Sequence, residues 1–362
     1  MRGKLFKDSQ EHESVFAQED ALSPEFVPDA LPGRENELSQ LAFELKPAIR
    51  KSQTRALFLW GPPGTGKTGC SKFVLRELTD YSDSVYGVYV NCWGNYTKQS
   101  VFSVLSQSLG QALPRRGLAS DEVFARVAEA VRNEGKTVIV VLDEVDRLFH
   151  SGAEEVLYDL SRARETHGAC FGVIALTNDK TVLARLDART RSSLRPFEME
   201  FAKYSPVELK QILGERAETA FRKNACSPDA IALTAAHAAK NGGDARIAIQ
   251  TLWEAGKNAD YRNSRAVEEQ DVKKAINERE LNASQEKRLA GLSKAEQDII
   301  SALENGSKES GELYAALKKT GLTDRSIRNY LSLLENKRLV ESEKLMNEKG
   351  KPGLTRRFKL SF

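Results

Sequence analysis

No stretch of this chain is apolar for anything near the ~18 residues that a membrane-crossing helix requires. Cysteine is scarce: four in 362 residues, at Cys70, Cys92, Cys170 and Cys226, with no C-x-x-C spacing. That scatter argues against a disulfide framework or a cysteine zinc site and points to a reducing, cytoplasmic interior. A strong excess of either charge is also missing. Lys and Arg number 54 against 51 Asp and Glu, a net +3. The overall balance therefore names no partner, and what matters is where positive charge collects. Met1 to Asp20 is polar and mixed in charge, unlike a secretory signal. Apolar anchors are few as far as residue 24, so residues 1–24 are expected to form a flexible arm. No internal repeat or low-complexity tract stands out. The rest is 40% hydrophobic and 29% charged, an ordinary globular composition with room for two or three domains.

Against that background one stretch is conspicuous. Gly61-Pro62-Pro63-Gly64-Thr65-Gly66-Lys67-Thr68 fits G-x-x-x-x-G-K-[ST], the phosphate-binding loop. The glycines let the backbone curl so that several N–H groups converge on phosphate oxygens. Lys67 supplies a point charge for the β- and γ-phosphates, and Thr68 a hydroxyl for Mg²⁺. Gly69 and Cys70 continue into a helix whose positive dipole end lies beneath the phosphates. The flanks agree. Arg55 to Trp60 has the length of a buried strand, and Phe73, Val74 and Leu78 recur at helical spacing. The order strand, glycine loop, helix is the one a nucleoside triphosphate site needs.

Val138 to Leu142 is continuously apolar and ends in Asp143 and Glu144. A run apolar on both faces suits a central parallel strand, and its C-terminal end is where such sheets bind ligands. Asp143 is then placed to hold the magnesium shell, and Glu144 to activate a water against the γ-phosphate. Another buried strand, Ala169 to Leu176, ends at Thr177 and Asn178, where a polar side chain reaches the same phosphate. Strands expected at 85–90 and 197–201 alternate with helices, which argues for a doubly wound α/β layer over about residues 25–203. Helices are expected at 97–109 and 120–132, around a Pro-Arg-Arg-Gly break between Leu113 and Gly117. From Ser205 the strands stop and four helical segments follow. Asp244 is a candidate N-cap for one of them. Arg246 in its first turn reaches the γ-phosphate if the helical unit closes over the nucleotide; otherwise it is a surface arginine.

The last stretch, from about Leu292, reads as three short helices followed by a hairpin turning around Asn347 to Gly353. That is the winged-helix pattern. Arg325 and Arg328 lie on the outer face of the third helix. From Asn347 onward Glu348 is the only acidic side chain, against Lys349, Lys351, Arg356, Arg357 and Lys359, an electrostatic footprint for DNA phosphates.

Together these motifs resemble the archaeal origin-recognition and cell-division-control initiators, in the AAA+ ATPase initiator clade. LPGRENEL is similar to that family's nucleotide-edge box, and GPPGTGKT and VIVVLDEVD to its two Walker motifs. TNDKTVLARLDARTRSSL is similar to its sensor-1 segment and following signature, and NGGDARIAIQTL to its sensor-2 motif. The resemblance implies a fold of three parts: an AAA+ P-loop parallel-sheet domain (25–203), an all-helical lid (204–288) and a winged-helix domain (289–362). It implies ATP/ADP and Mg²⁺ as cofactors. Asn178 would be sensor 1 and Arg246 sensor 2. Arg189 would be an arginine finger for a neighbouring subunit, with Arg191 the alternative. Tyr204 and Arg216 would contact the nucleotide, and Trp93 to Lys98 would begin an insert that touches DNA. The function implied is a nucleoid-associated replication initiator that binds origin duplex DNA, self-associates or joins a paralogue, and recruits an MCM-type replicative helicase while hydrolysing ATP slowly. Two other readings fit the same machinery: a clamp-loader-like or remodelling ATPase acting on protein, and a nucleotide-gated DNA-binding regulator.

Overall fold

The computed structural model describes residues 13–111, 117–304, 306–337, 339–346 and 352–361. The chain divides into two compact units, 1–276 and 277–362. In chain order the first opens with α1 (Glu35–Ile49), β1 (Leu57–Trp60), α2 (Lys67–Tyr81) and β2 (Val85–Asn91). Next come α3 (Lys98–Ser108), α4 (Ser120–Glu134), β3 (Thr137–Asp143), α5 (Asp146–His150) and α6 (Glu155–His167). β4 (Cys170–Thr177), α7 (Val182–Arg185), α8 (Ala188–Leu194) and β5 (Phe197–Glu200) complete the sheet layer. Four further helices follow: α9 (Pro206–Ala220), α10 (Pro228–Lys240), α11 (Ala245–Tyr261) and α12 (Glu269–Ala290). The break expected between Leu113 and Gly117 falls mostly outside the described residues.

The five strands form one sheet in the order β2-β3-β4-β1-β5, parallel at every pairing. A parallel sheet needs helical crossovers and is covered on both faces. All seven residues of β3 are buried, as its unbroken apolar run requires. Alternate side chains serve opposite faces. Phe58, Val138, Val140 and Leu142 join the core under α3, α4 and α6. Leu57, Leu59, Ile139 and Val141 join the core under α1 and α2. The C-terminal ends of β1, β3 and β4 thus meet at one edge, with the glycine loop between β1 and α2.

α9 to α12 surround a separate apolar core that includes Leu209, Leu213, Leu252 and Val272. Their starts are marked in sequence. Ser205 and Glu208 form a capping box on α9, Ser227 caps α10 and Asp244 caps α11, each meeting N–H groups the helix leaves open. The flexible arm expected over residues 1–24 needs correction across 14–22. Val15, Phe16, Ala21 and Leu22 are buried in this helical core. Phe16 stacks on Phe221 with ring centroids 4.9 Å apart. Asp260 accepts from Ser14 Oγ at 2.6 Å and from the Val15 N–H at 2.7 Å. Four apolar residues in a polar stretch are too few to predict a packed segment, yet each has a slot here. Residues 1–12 lie outside the described residues.

The second unit, by itself, contains α13 (Lys294–Leu303), β6 (Lys308–Glu309), α14 (Ser310–Lys318), α15 (Asp324–Asn336), β7 (Val340–Met346) and β8 (Pro352–Leu360). The strands pair antiparallel in the order β6-β8-β7. Ile299, Leu303, Leu313, Ile327, Leu331 and Phe358 form its core. Three helices and a terminal hairpin are the winged-helix order. The two units meet at residues 276 and 277, inside α12.

Candidate nucleotide site

The loop between β1 and α2 turns through left-handed backbone at Gly64 and Gly66, with φ of +71° and +90°, which favours glycine. A Cβ on Gly66 would lie 2.4 Å from the Tyr204 hydroxyl, so glycine is needed there for space as well. No side chain caps α2, and its first-turn N–H groups face the loop as an anion cradle.

Lys67 folds back over this loop. Its Nζ donates to the carbonyls of Gly61 (2.7 Å) and Pro62 (2.8 Å) and to Asn178 Oδ1 (3.0 Å). The last bond joins the phosphate-loop lysine to the residue at the tip of β4. Burial lowers the ammonium from its ordinary value to about 8, opposed in part by the nearby Asp143 carboxylate.

Asp143 ends β3 and is 8% exposed. Its Oδ2 accepts from Thr68 Oγ1 at 2.8 Å and from Tyr89 Oη at 2.7 Å. Its Oδ1 accepts the Glu144 N–H at 2.9 Å. A carboxylate beside a hydroxyl at the edge of the phosphate cradle is a hard-oxygen donor set, which fits Mg²⁺. Glu144 follows with φ +56°, a left-handed conformation unusual for glutamate. Partial burial, with the charges of Asp143 and Asp146, raises its carboxyl above the ordinary value. That shift moves it toward the range useful in a general base.

α11 starts against the same loop. The Ala245 N–H donates to the Gly64 carbonyl at 3.1 Å, and a Cβ on Gly64 would meet Asp244 Oδ1 at 1.6 Å. Arg246 pairs with Asp244, Nη2 to Oδ2, at 3.2 Å. Its charge acts on both Lys67 and Glu144, so it lies within electrostatic reach of the loop lysine and of the carboxylates after β3. Gly61 to Thr68, Asp143, Glu144, Asn178, Tyr204 and Arg246 are therefore one cluster.

One expectation comes out differently. Arg216 is not at the phosphate loop. Its Nη1 donates to the Ala21 carbonyl (2.7 Å) and its Nη2 to that of Phe26 (3.0 Å), so it ties α9 to the N-terminal segment. The thiol of Cys70 is fully buried in the apolar core under α2, where burial pushes it up to about 12, while its backbone N–H donates to the Gly66 carbonyl at 2.8 Å. Arg189 and Arg191 are exposed on α8, and no ion pair joins either to the cluster among the described residues. α8 itself is capped by Asp187, which accepts from the N–H groups of Arg189 and Thr190.

Two residues of the cluster carried no individual role in the sequence reading. Arg34, within the LPGRENEL segment that resembles the nucleotide-edge box, is 4% exposed. Its Nε donates to the Thr65 carbonyl at 3.0 Å, its Nη2 to that of Ala202, and its guanidinium lies 4.1 Å from the Tyr204 ring centroid. Tyr89 is the other. Its position near the C-terminal end of a parallel strand was the available signal.

In the second unit, Arg325 and Arg328 are exposed on α15 and Arg356 and Arg357 on β8. Arg357 pairs with Glu309 at 3.2 Å. Lys349 and Lys351 lie outside the described residues.

A parallel sheet of this strand order, with the phosphate loop after its first strand and a helical bundle resting on that loop, is the architecture of an AAA+ ATPase. Residues 49–178 match the family model for the AAA domain, and residues 210–277 that for the Cdc6 AAA+ ATPase-type lid domain. ORC1-type DNA replication protein 3 of Haloarcula marismortui is 33% identical over 89% of this chain and 86% of its own length. ORC1-type DNA replication protein 2 of Methanosarcina acetivorans is 32% identical over 97% of this chain and 94% of its own. The solved structure of the Aeropyrum pernix ORC1 protein in complex with DNA has a TM-score of 0.70 and 31% identity, covering 96% of this chain and 94% of that one. The chain belongs to the ORC1-type DNA replication initiator family.

Proposed function

We propose that this protein is an ATP-dependent replication initiator whose nucleotide state governs its grip on origin duplex DNA, and which helps recruit a replicative helicase of the MCM type. The observation that carries the nucleotide half is the meeting of Lys67 with Asn178 and of Thr68 with Asp143. On this reading ATP takes over the Lys67 ammonium from the loop carbonyls, and Arg246 leaves Asp244 for the γ-phosphate. Mg²⁺ held through Thr68 and Asp143 would neutralise phosphate charge. Glu144 orients and deprotonates the attacking water, and Asn178 fixes that water's position. Among the described residues no hydrogen bond or ion pair joins Arg189 or Arg191 of α8 to the cluster, which holds Arg34 and Arg246. A finger from a neighbouring copy, Arg189 first and Arg191 second, would complete the site, and turnover by the lone chain is slow.

The DNA half rests on charge and on the relative. Residues 277–362 hold 17 Lys and Arg against 13 Asp and Glu, while the rest of the chain holds 37 against 38. The similar Aeropyrum pernix protein was solved in complex with DNA. The proposed division is an ATPase domain from residue 25 to 203, a lid to 288 and a winged helix beyond, with residues 14–22 packed into the lid's core. α15 would enter the major groove and the hairpin follow the backbone. The test is footprinting on the source genome's own DNA with ATP and with ADP. A protected site whose extent changes with nucleotide supports the proposal; protection of no sequence over random duplex under either nucleotide ends it.

A further inference from the structure

Tyr89 is used by nothing in the mechanism above, yet its hydroxyl is one of only three described donors to the Asp143 carboxylate. In the β2–β3 register Tyr89 stands beside Val141, and Asn91 beside Asp143. The phenol therefore reaches forward along the strand to the carboxylate. Phe would fill the same half-buried space, so packing alone does not call for the hydroxyl. From the other side Lys72 Nζ lies 4.5 Å from the Tyr89 ring centroid. Lys72 is one turn beyond Thr68 on α2, so the ring is clasped by the helix that carries the threonine.

Asp143 Oδ2 thus receives two hydroxyls, Thr68 from the phosphate-loop helix and Tyr89 from the neighbouring strand. Oδ1 is oriented by the Glu144 N–H. A carboxylate with a single hydroxyl donor can rotate about its Cβ–Cγ bond; one pinned from two elements cannot without losing a charge-assisted bond. We infer that Tyr89 is a positioning residue for the magnesium site: it acts through Asp143 and adds to the metal-dependent part of nucleotide affinity alone. This rests on the proposed reading of Thr68 and Asp143 as the Mg²⁺ residues.

Equilibrium titration of the full chain with a fluorescent ATP analogue, in EDTA and in Mg²⁺, tests it. Tyr89→Phe is expected to keep the EDTA affinity and the nucleotide-free melting temperature. It should lose about tenfold of the gain that Mg²⁺ brings, the scale of one hydrogen bond to a charged group. In an Asp143→Asn background the same change should cost nothing more, because both act through one carboxylate. A full Mg²⁺ gain in Tyr89→Phe, an equal loss in EDTA, or additivity with Asp143→Asn would each overturn the inference. If the unaltered chain bound ATP in EDTA and gained nothing from Mg²⁺, the metal reading itself would fail, and Tyr89 with it.

Discussion

Lys67, the proposed phosphate-binding lysine, is held ready at a cost. Its ammonium is buried among carbonyls, and burial lowers its pKa from 10.5 to about 8. Below pH 8 both folded and unfolded chains carry the proton, and the penalty is constant. Between about 8 and 10.5 the unfolded chain binds more protons than the folded one, so this residue's contribution to stability rises with pH, by up to ~1.4 kcal/mol per unit. Urea unfolding of ligand-free protein at pH 7.5, 8.5 and 9.5 should show the wild type gaining on Lys67→Met across that window. A constant difference would mean that Lys67 titrates normally. Triphosphate favours the charged ammonium, so nucleotide affinity should fall above pH 8. Glu144 makes a simpler case. Glu144→Gln keeps the shape and the N–H bond to Asp143 but cannot accept a proton; single-turnover assays should show ATP bound with near-normal affinity and cleaved ~10²-fold more slowly or worse. At this scale the sequence was legible where a motif fixes backbone and side chain together, as at Lys67, Thr68 and Asp143. It was silent on the partners of Arg34 and Arg216, which are backbone carbonyls far away in the chain, at Thr65 and Ala202 for one and at Ala21 and Phe26 for the other. A carbonyl acceptor leaves no residue-type signature.

The elements were legible in proportion to how far burial alone dictates their pattern. β3 and β4 are covered on both faces, and their unbroken apolar runs announce them. α9, α10 and α11 announce their starts through Ser205, Ser227 and Asp244. The segment around Phe16 had neither signal. It is held by a slot on α11 that only the folded helix pair creates. Gly256 is the floor of that slot: a Cβ there would lie 2.2 Å from Phe16 Cζ and 2.9 Å from Phe221 Cε1. Gly256→Ala should therefore destabilise the first unit by about 1–3 kcal/mol through overpacking, although alanine is the better helix former. Phe16→Ala should cost about 3 kcal/mol. In the double variant the added methyl occupies space the ring has left, so the two costs should sum to clearly less than their separate values. Chemical denaturation of the four proteins decides this, and simple additivity would mean that Phe16 does not occupy the slot in solution.

Across the whole molecule the positive excess lies in residues 277–362, while the phosphate-handling cluster lies in 1–276. A protein that grips DNA through the second unit should lose affinity with salt in proportion to the phosphates it neutralises. Arg325 and Arg328 are exposed on the outer face of α15, opposite the buried Ile327, Leu331 and Leu334, and no ion pair holds them among the described residues. Arg357 differs, because Glu309 already engages it. Each phosphate-contacting arginine changed to alanine should reduce the slope of log K against log salt by about one. The expectation is a drop of about two for Arg325→Ala with Arg328→Ala together, and a smaller drop for Arg357→Ala, whose charge Glu309 already partly compensates. If an arginine of α15 reads a base edge instead, its loss should flatten preference among sequences and leave the slope nearly intact. Binding isotherms on origin and random duplexes at several salt concentrations separate these outcomes. An unchanged slope with unchanged preference in the α15 double variant would remove that helix from the DNA interface.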